Sequence, residues 1–457
     1  MPLVPQTNLE IKRGGEKREE IIIIGAGIVG LTAGLYLQRA GLNVTVLDKD
    51  GIAAGASYGN AGHFATEQVF PLADPHLLYQ LPGMLLDPLG PFRIRPQYFH
   101  RALPWFMRFL VNMLPSRIKH NSQAIKALNH QAIAEMKEVV NFCQCEELLV
   151  LNGSLLVFES SSLAVVQQQW QHYLDAGVKV ELLTGEQVRQ LEPSLSKAIC
   201  YGLFFTQVGH TPDPSALCHA IADKFMMLGG TIERAEVISI NQSTGQEDDN
   251  SDLSSAWLSQ NARFTSNTVH LRIKAEAQSQ SSVKTAGKVL LSAGAWSKPL
   301  AAQLGHSVPL ETERGYHLMM PQLPMLSRPV ASFERKFIIT PMAQGTRLAG
   351  TVEFGGLTAP MAPARAECLF PHGKALLPQV FAKASVSDGQ QWMGFRPSLP
   401  DSLPVLGNTQ MANVFVSFGH QHLGLTWSAV TAKLVGQTIL GNTTDIDITP
   451  YRITRFD

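Results

Sequence analysis

The sequence predicts a mixed α/β (α+β) fold with two kinds of sheet. Three observations predict it: a strand–turn–helix–strand pattern over residues 21–48, similar strands and helices in the middle and at the end of the chain, and short strands punctuated by turn residues from 308 to 395. The first pattern is typical of parallel sheets and the last of antiparallel ones, so we expect an antiparallel-sheet domain inserted into a parallel one. A length of 457 residues suits two or three domains.

Residues 21–48 match the βαβ unit that binds dinucleotides. Four isoleucines predict a buried strand, and Gly25, Gly27 and Gly30 follow with G-x-G-x-x-G spacing. In this unit the first glycine permits a tight turn, the second lets the backbone approach a pyrophosphate, and the third lets the helix lie close to the sheet. The helix N-terminus offers N–H groups and a positive dipole to the phosphates. These features predict a Rossmann-type nucleotide site.

Asp48 ends the second strand of this unit, 23 residues after Gly25. A carboxylate here accepts hydrogen bonds from both ribose hydroxyls and disfavours a 2′-phosphate, so FAD or NAD is predicted rather than NADP. A membrane-spanning helix is the alternative interpretation of residues 21–42, because this segment is largely apolar. The glycines at the phosphate positions, together with Gln38 and Arg39, favour the nucleotide site.

After Asp48, residues 51–62 are mostly small, which lets a flat ring lie against the backbone. The later patterns predict a helix over 122–141, a hairpin at Asn152-Gly153 within 148–158, a helix over 163–175, a strand over 178–183, a helix over 214–228, strands over 231–240, 288–292 and 414–418, and a helix over 428–440.

These elements divide into domains that alternate along the chain. The predicted nucleotide-binding domain comprises residues 18–66, 200–240, 286–307 and 396–457, and the predicted substrate-binding domain comprises 67–199 and 308–395. Residues 241–285 begin with a run rich in Ser, Asn, Gln and Asp, and we interpret them as a variable surface insertion.

Composition and charge exclude several classes of function. The chain has 37 basic and 37 acidic residues, so net charge predicts neither nucleic acid binding nor attraction to anionic membranes. The first twenty residues contain no apolar segment of a secretory signal. Five cysteines without framework spacing fit a reduced, cytoplasmic protein. The apolar stretch 103–114 is a membrane-facing patch or a core helix, and we favour the core helix.

Six motifs in order carry a family resemblance: GAGIVG, SYGNAG, LLSAGAWS, ERGYHLMM, GFRPSLPDSLPVLG and GHQHLGLT. With them the chain resembles the FAD-dependent D-amino acid oxidase superfamily. Within it, the bacterial D-amino acid dehydrogenases and D-hydroxyproline dehydrogenases are the most similar, with glycine and sarcosine oxidases as cousins. The resemblance covers about residues 20–445, with a gap at 241–285. It implies a Rossmann-type FAD-binding domain with an inserted antiparallel-sheet substrate domain.

The resemblance also implies which residues contact FAD. They lie in six segments and comprise Gly25, Gly27, Ile28, Gly30, Asp48, Lys49, Gly59, Asn60, Ala61, Gly62, Val237, Ala293, Gly294, Gly419, His420, Gly424, Leu425 and Thr426. Asp48 is expected at the ribose, Val237 at the adenine, and residues 59–62 beside the flavin ring. The helix beginning near Thr426 directs its positive end towards the negative charge of reduced flavin. Sarcosine oxidases tether flavin through a cysteine where this chain has Gly394, so non-covalent FAD is expected.

Arg396 is the expected ligand of the substrate carboxylate, because a guanidinium matches a carboxylate with two parallel hydrogen bonds and the family has an Arg in this motif. A structural ion pair is the alternative role. Tyr316 and His317 are further substrate-binding candidates, and a core aromatic is the alternative for Tyr316. His420 and His422 have the spacing of a metal pair, but no third ligand accompanies them, so no metal is expected. No catalytic acid or base is assigned.

The resemblance implies oxidation of a D-amino acid, of the D-proline or 4-hydroxy-D-proline type, by hydride transfer from the α-carbon to flavin N5. One alternative is a glycine- or sarcosine-type secondary amine oxidase, and a lower-ranked one is an FAD-dependent 2-hydroxy acid oxidase. The electron acceptor is a quinone of the respiratory chain or oxygen. We expect a cytoplasmic protein, and peripheral attachment to the inner membrane is left open.

Overall fold

The structure is a computed structural model and describes residues 19–75, 87, 89–242, 268–275, 280–322 and 325–457. In chain order the strands are β1 (Glu20–Ile24), β2 (Asn43–Asp48), β3 (His63–Phe64), β4 (Phe92–Ile94), β5 (Ser154–Phe158), β6 (Val180–Thr184), β7 (Tyr201–Phe205), β8 (Gly209–His210), β9 (Thr231–Gln242), β10 (Val269–Ala275), β11 (Ser282–Ala286), β12 (Lys288–Leu291), β13 (Glu311–Met320), β14 (Val330–Ser332), β15 (Phe337–Met342), β16 (Gly345–Phe354), β17 (Gln390–Ser398), β18 (Val405–Asn408) and β19 (Val414–Phe418). The α-helices are α1 (Ile28–Arg39), α2 (Phe99–Val111), α3 (Pro115–Cys143), α4 (Leu163–Asp175), α5 (Gly185–Leu191), α6 (Pro214–Met227), α7 (Ser297–Gln303), α8 (Ala364–Glu367), α9 (Leu369–Leu376) and α10 (Gly424–Ile439).

The first sheet contains eight strands of the described residues, in the order β11-β10-β9-β2-β1-β12-β19-β18. From β9 to β19 the neighbouring strands are parallel. In β1, Ile21 and Ile23 pack beneath α1, α6 and α10, whereas Ile22 and Ile24 pack on the other face with Leu300 of α7. Both faces of the strand are therefore covered, which explains its continuous apolar sequence.

The second sheet contains nine strands of the described residues along the path β17-β13-β16-β15-β14-β5-β7-β6, with β4 beside β16. Most neighbours are antiparallel, and the pairs β14–β5 and β16–β4 are parallel. The edge strand β17 lies next to the first sheet, where Phe395 meets Trp296 edge-to-face at 5.5 Å. The predicted fold class, a parallel domain with an inserted and mainly antiparallel domain, is confirmed.

Strand pairing departs from the predicted domain boundaries at three places. Residues 200–210 were assigned to the nucleotide-binding domain, but β7 pairs with β5 and β6 in the second sheet. Residues 396–398 belong to β17, which pairs with β13. The segment interpreted as an insertion supplies β10 and β11, which extend the first sheet beyond β9, while its residues 243–267 lie outside the described residues. These pairings join residues distant in sequence, so local patterns did not indicate them.

Two local predictions were wrong. The segment 148–158 is not a hairpin: β5 pairs with β7 and β14, and Gly153 donates its N–H to the carbonyl of Val208 at 2.9 Å. The 103–114 stretch was favoured as a core helix, but α2 buries chiefly Ala102 and Trp105 and exposes most of its other apolar side chains. None of the described helices is both long and apolar enough to cross a bilayer.

Candidate active site

Steric contacts explain the glycines of the first turn. Gly25 has a φ of +114°, and a Cβ there would lie 2.5 Å from the carbonyl oxygen of Ser292. A Cβ on Gly30 would lie 1.9 Å from the carbonyl oxygen of Gly25, because α1 starts directly against the turn. At Gly27 the nearest atom to such a Cβ is Ser57 Oγ at 3.3 Å. The turn therefore packs too closely for side chains at Gly25 and Gly30.

Three backbone amides orient the carboxylate of Asp48. Its Oδ2 accepts a hydrogen bond from the N–H of Ala26 at 2.8 Å, which ties it to the glycine turn. Its Oδ1 accepts from the N–H groups of Asp50 at 2.8 Å and Gly51 at 3.0 Å. The acid is thus fixed at the carboxyl end of β2, in the wall of a cavity, where it can accept ribose hydroxyls.

This cavity has a volume of about 580 Å³ and runs along the carboxyl ends of the parallel strands. Of the residues predicted to contact FAD, its wall contains Gly25, Gly27, Ile28, Asp48, Lys49, Asn60, Val237, Ala293, Gly294, Gly419, His420, Gly424 and Leu425. The wall, within the described residues, does not include Gly30, Gly59, Ala61, Gly62 or Thr426. The sequence thus indicated residues from six segments that meet at one cavity.

The donors in the cavity wall fit a dinucleotide. The hydroxyls of Ser292 and Ser417 are buried there and find no hydrogen-bond partner among the described residues. Helix α10 begins at Gly424, whose preceding turn passes through Gly419 at a φ of +81°. Unpaired N–H groups at this helix start stabilise negative charge on a bound ring. The residues present therefore match the demands of FAD.

Sequence reasoning missed several members of the cavity wall. Ser57, in the small-residue segment 51–62, accepts a hydrogen bond from the N–H of Ile28 through Oγ at 3.0 Å and so fixes the start of α1. The ammonium of Lys49 lies over the indole of Trp296, at 4.2 Å from the ring centre. The AGAW motif contains Trp296, but only the fold shows that this side chain reaches the cavity.

Both histidines of the GHQH motif are buried and have partners. His420 contacts Thr431 Oγ1 at 3.1 Å through Nε2, and burial lowers its pKa to about 3. His422 contacts Gln68 Oε1 at 2.5 Å, and burial followed by the charge of Arg396 lowers its pKa to about 3. Both rings are neutral at physiological pH, and each ring has a structural partner. Within the described residues, no group of three or more metal-ligating side chains occurs.

Arg396 lies on β17, opposite Glu313 of β13. It makes no hydrogen bond or ion pair with any described residue, and its guanidinium covers Gly315, where a Cβ would lie 2.6 Å from Cζ. Burial lowers its pKa, and the carboxylate of Glu313 opposes this effect. Glu313 itself accepts the hydroxyl of Ser398 at 2.7 Å. The guanidinium is therefore available to a carboxylate from outside the chain.

His317 shares the sheet face of Arg396, because Gly315 and His317 alternate with Tyr316 along β13. Its Nδ1 contacts the carbonyl oxygen of Gly59 at 3.0 Å, and its ring stacks on Trp392 at 4.9 Å. Burial, then the charges of Arg347 and Arg396, lower its pKa to about 3. His317 is therefore a neutral ring between these two arginines.

The prediction that the hydroxyl of Tyr316 binds substrate was wrong. Tyr316 points to the opposite face of β13 and donates to Glu353 Oε2 at 2.8 Å. Glu353 also pairs with Arg95 at 3.1 Å and Arg314 at 3.4 Å. The hydroxyl belongs to this buried ion network, so the core alternative applies.

Residues 59–62 form a loop that the second sheet holds in place. Arg347 donates to the carbonyl oxygen of Asn60, and the Asn60 side chain accepts the N–H of Gly62 at 2.8 Å. A Cβ on Gly59 would lie 2.3 Å from the indole of Trp392. This indole, which the sequence did not indicate, covers both Gly59 and Gly394. The loop, the cavity and Arg396 thus meet at the junction of the two sheets.

A glycine turn, a fixed acid and a helix N-terminus around one cavity define a dinucleotide-binding domain of the Rossmann type. A family model described as FAD dependent oxidoreductase (DAO) matches residues 20–438. The chain is 32% identical over 442 residues to a D-amino-acid oxidase of Bradyrhizobium diazoefficiens, with 95% of this chain and 98% of that protein covered. It is 25% identical over 450 residues to a D-amino acid dehydrogenase of Vibrio atlanticus, with 96% and 100% covered.

Glycine oxidase from Geobacillus kaustophilus has a solved structure with the same fold, at a TM-score of 0.69 and 20% identity over 96% of this chain and 99% of that one. The chain belongs to the DAO family of FAD-dependent oxidoreductases, and FAD is its cofactor.

We predict that the flavin is not covalently attached. At Gly394 a Cβ would lie 2.0 Å from the Trp392 ring, which leaves no room for a tethering cysteine. Cys218 borders the cavity, but burial raises the pKa of its thiol to about 12 and keeps it unreactive. Precipitation with acid should release all the yellow chromophore into the supernatant. Yellow colour that stays with the protein pellet would contradict this prediction.

Proposed function

We propose that the protein is an FAD-dependent dehydrogenase or oxidase of D-amino acids. The observation that carries this proposal is Arg396, a partly buried guanidinium that makes no hydrogen bond or ion pair with a described residue and lies between Phe395 and Pro397, which line the FAD cavity. Glu313, its cross-strand partner, acts on it through its charge but forms no ion pair with it, so the guanidinium donors can bind an amino acid carboxylate. The names of two relatives, a D-amino-acid oxidase and a D-amino acid dehydrogenase, support the same class.

In this proposal the chain positions the substrate and FAD supplies the acceptor for the hydride and both electrons. Arg396 binds the substrate carboxylate through two parallel hydrogen bonds and so fixes the α-carbon. His317 stays neutral because its pKa is about 3, and its Nδ1 is held by the carbonyl of Gly59. It therefore takes no proton from the substrate. The substrate amine enters unprotonated, and the N-terminus of α10 stabilises the negative charge that develops during oxidation.

The substrates that we propose first are D-proline and 4-hydroxy-D-proline. The Arg396 guanidinium covers Gly315 and the Trp392 indole covers its partner Gly394, so a flat five-membered ring would stack on the indole next to the guanidinium. A glycine- or sarcosine-type amine is the second candidate, because the Trp392 indole over Gly59 narrows the space and favours small substrates.

Anaerobic reduction of the bound flavin tests the proposed class. We expect D-proline, 4-hydroxy-D-proline or D-alanine to bleach the yellow holoenzyme under argon, with the L-enantiomers as matched controls. Glycine and sarcosine in the same assay test the second candidate. A flavin that no D-amino acid reduces, but that a 2-hydroxy acid does, would refute the proposal.

We further propose a cytoplasmic protein that binds the inner membrane peripherally and passes electrons to a quinone, with oxygen as the alternative acceptor. The support is α2, whose Phe99 and Met107 are 52% and 57% exposed, with Arg101 and Arg108 available to anionic lipid. Flotation with anionic vesicles should carry the wild-type protein upward. Replacing Phe99 and Met107 by serine should abolish flotation. A variant that floats as well as the wild type would contradict the proposal.

A further inference from the structure

Arg347, on β16, is a second buried arginine near the loop 59–62. Its side chain is 5% exposed and makes one hydrogen bond, to the carbonyl oxygen of Asn60. Its Nε–H has no partner among the described residues. Burial lowers the pKa of this guanidinium to about 10, which still leaves it charged at physiological pH.

The register of the second sheet places Arg347 on the same face as His317. On β13, His317 pairs with Ala349 and Met319 pairs with Arg347, and residues two apart on a strand share a face. The charges of Arg347 and Arg396 both act on the imidazole of His317. Two guanidiniums, one of them buried, therefore act on one neutral ring at the place proposed for the substrate.

Arg396 and His317 occupy neighbouring positions on this face. The guanidinium of Arg396 lies over Gly315, two residues from His317, which is about 7 Å along the strand.

Other arginines of this sheet show how a structural guanidinium is satisfied. Arg314, on the opposite face of β13, donates to the carbonyls of Gly356, Ala359 and Pro360 and pairs with Glu353. Arg347 has a single acceptor, although an unsatisfied buried donor is unfavourable by about 1–3 kcal/mol. A structural role does not explain its free Nε–H.

We propose that Arg347 Nε donates a hydrogen bond to an oxygen on the side chain of the substrate, so that the preferred substrates are D-amino acids bearing a side-chain hydroxyl or carboxylate. This inference rests on the proposed function, in which Arg396 holds the α-carboxylate. It adds a second recognition point at the other end of the substrate. It also gives 4-hydroxy-D-proline a direct advantage over D-proline.

Two matched pairs of substrates test the inference without altering the protein. The holoenzyme is reduced under argon with 4-hydroxy-D-proline against D-proline, and with D-aspartate against D-2-aminobutyrate. We expect a preference of at least about tenfold in kcat/KM for the oxygen-bearing member of one pair, as a hydrogen bond to a charged donor gives. The pair that shows the preference identifies the acceptor as hydroxyl or carboxylate.

Two variants then assign that preference to Arg347. Arg347→Met should bring the preference down to about twofold or less, because no donor remains. Arg347→Lys keeps the charge but lacks the Nε–H of the planar fork, so it should lose most of the preference as well. Because Arg347 also holds Asn60 at the FAD cavity, the FAD content of both variants is measured from the visible absorbance and kcat/KM is expressed per bound FAD.

Each other outcome overturns the inference. Equal kcat/KM within both pairs for the wild type would show that no side-chain oxygen is recognised. Loss of FAD from both variants, with the preference intact in the remaining holoenzyme, would assign the acceptor to the cofactor. A flavin that D-alanine reduces but neither oxygen-bearing substrate reduces would refute the inference alone. A flavin that no D-amino acid reduces would refute the proposed function itself.

Discussion

Replacing Arg396 by lysine is expected to lower kcat/KM for D-amino acids by about a hundredfold or more, while FAD content stays unchanged. Lysine keeps the positive charge but loses the planar pair of donors that matches a carboxylate. Arg396 makes no ion pair with any described residue, so in the proposed function its donors bind the substrate carboxylate. Steady-state kinetics of Arg396→Lys and Arg396→Ala with D-proline and D-alanine measure the loss.

Two controls make this experiment specific. Arg335, which follows β14 of the second sheet, already pairs with Glu159. Because its donors are occupied, Arg335→Lys should leave kcat/KM near the wild-type value. If the enzyme oxidises pyrrolidine, which lacks the carboxylate, the Arg396 variants should lower kcat/KM for pyrrolidine much less than for D-proline. Wild-type kinetics in both Arg396 variants would show that the carboxylate binds elsewhere, and Arg347 would then be the leading candidate.

Replacing Gly30 by alanine is expected to abolish FAD binding and to lower the free energy of unfolding by about 3 kcal/mol or more. The added methyl would lie 1.9 Å from the carbonyl oxygen of Gly25. Backbone cannot move aside as a flexible side chain can, so the start of α1 must shift away from the turn. Thermal unfolding and the ratio of visible to ultraviolet absorbance report both losses.

Gly34→Ala provides the matched control within the same helix. A Cβ on Gly34 meets side-chain atoms of Ile23, Phe225 and Val46 at 3.5 Å, which is ordinary van der Waals contact. Alanine also has about 1 kcal/mol better helix propensity than glycine. Gly34→Ala should therefore retain FAD and normal stability. Retention of FAD by Gly30→Ala as well would show that the contact at Gly30 is not needed for binding.

The first domain was largely predictable because its signals are local. Strand, glycine turn, helix and acid follow one another within residues 21–48, and the structure places Asp48 in the wall of the cavity. Spacing alone was enough, since the βαβ unit brings its own ends together. The hairpin at Asn152-Gly153 failed for the opposite reason, because the partner of β5 lies about fifty residues away in β7.

The substrate side was only partly predictable. Arg396 stays a prediction from its motif. The hydroxyl of Tyr316 bonds Glu353 instead, because the sequence does not show which face of β13 lies beside Arg396. Arg347 and Trp392 stand on strands that flank β13, and only the pairing of β16 and β17 brings them beside His317. No local pattern encodes such a register between distant strands.

The hydrogen bonds that hold the loop 59–62 couple the availability of FAD to the stability of the folded protein. Asn60 borders the FAD cavity and is held by Arg347, while Gly62 accepts the N–H of Thr211 at 2.7 Å. FAD bound in the cavity would contact a loop that Arg347 of the second sheet holds. By mass action, FAD at a hundred times its Kd adds about 2.7 kcal/mol to the stability of the folded state. Cells short of riboflavin should therefore contain less of the protein itself, because the apoprotein unfolds and is degraded more readily.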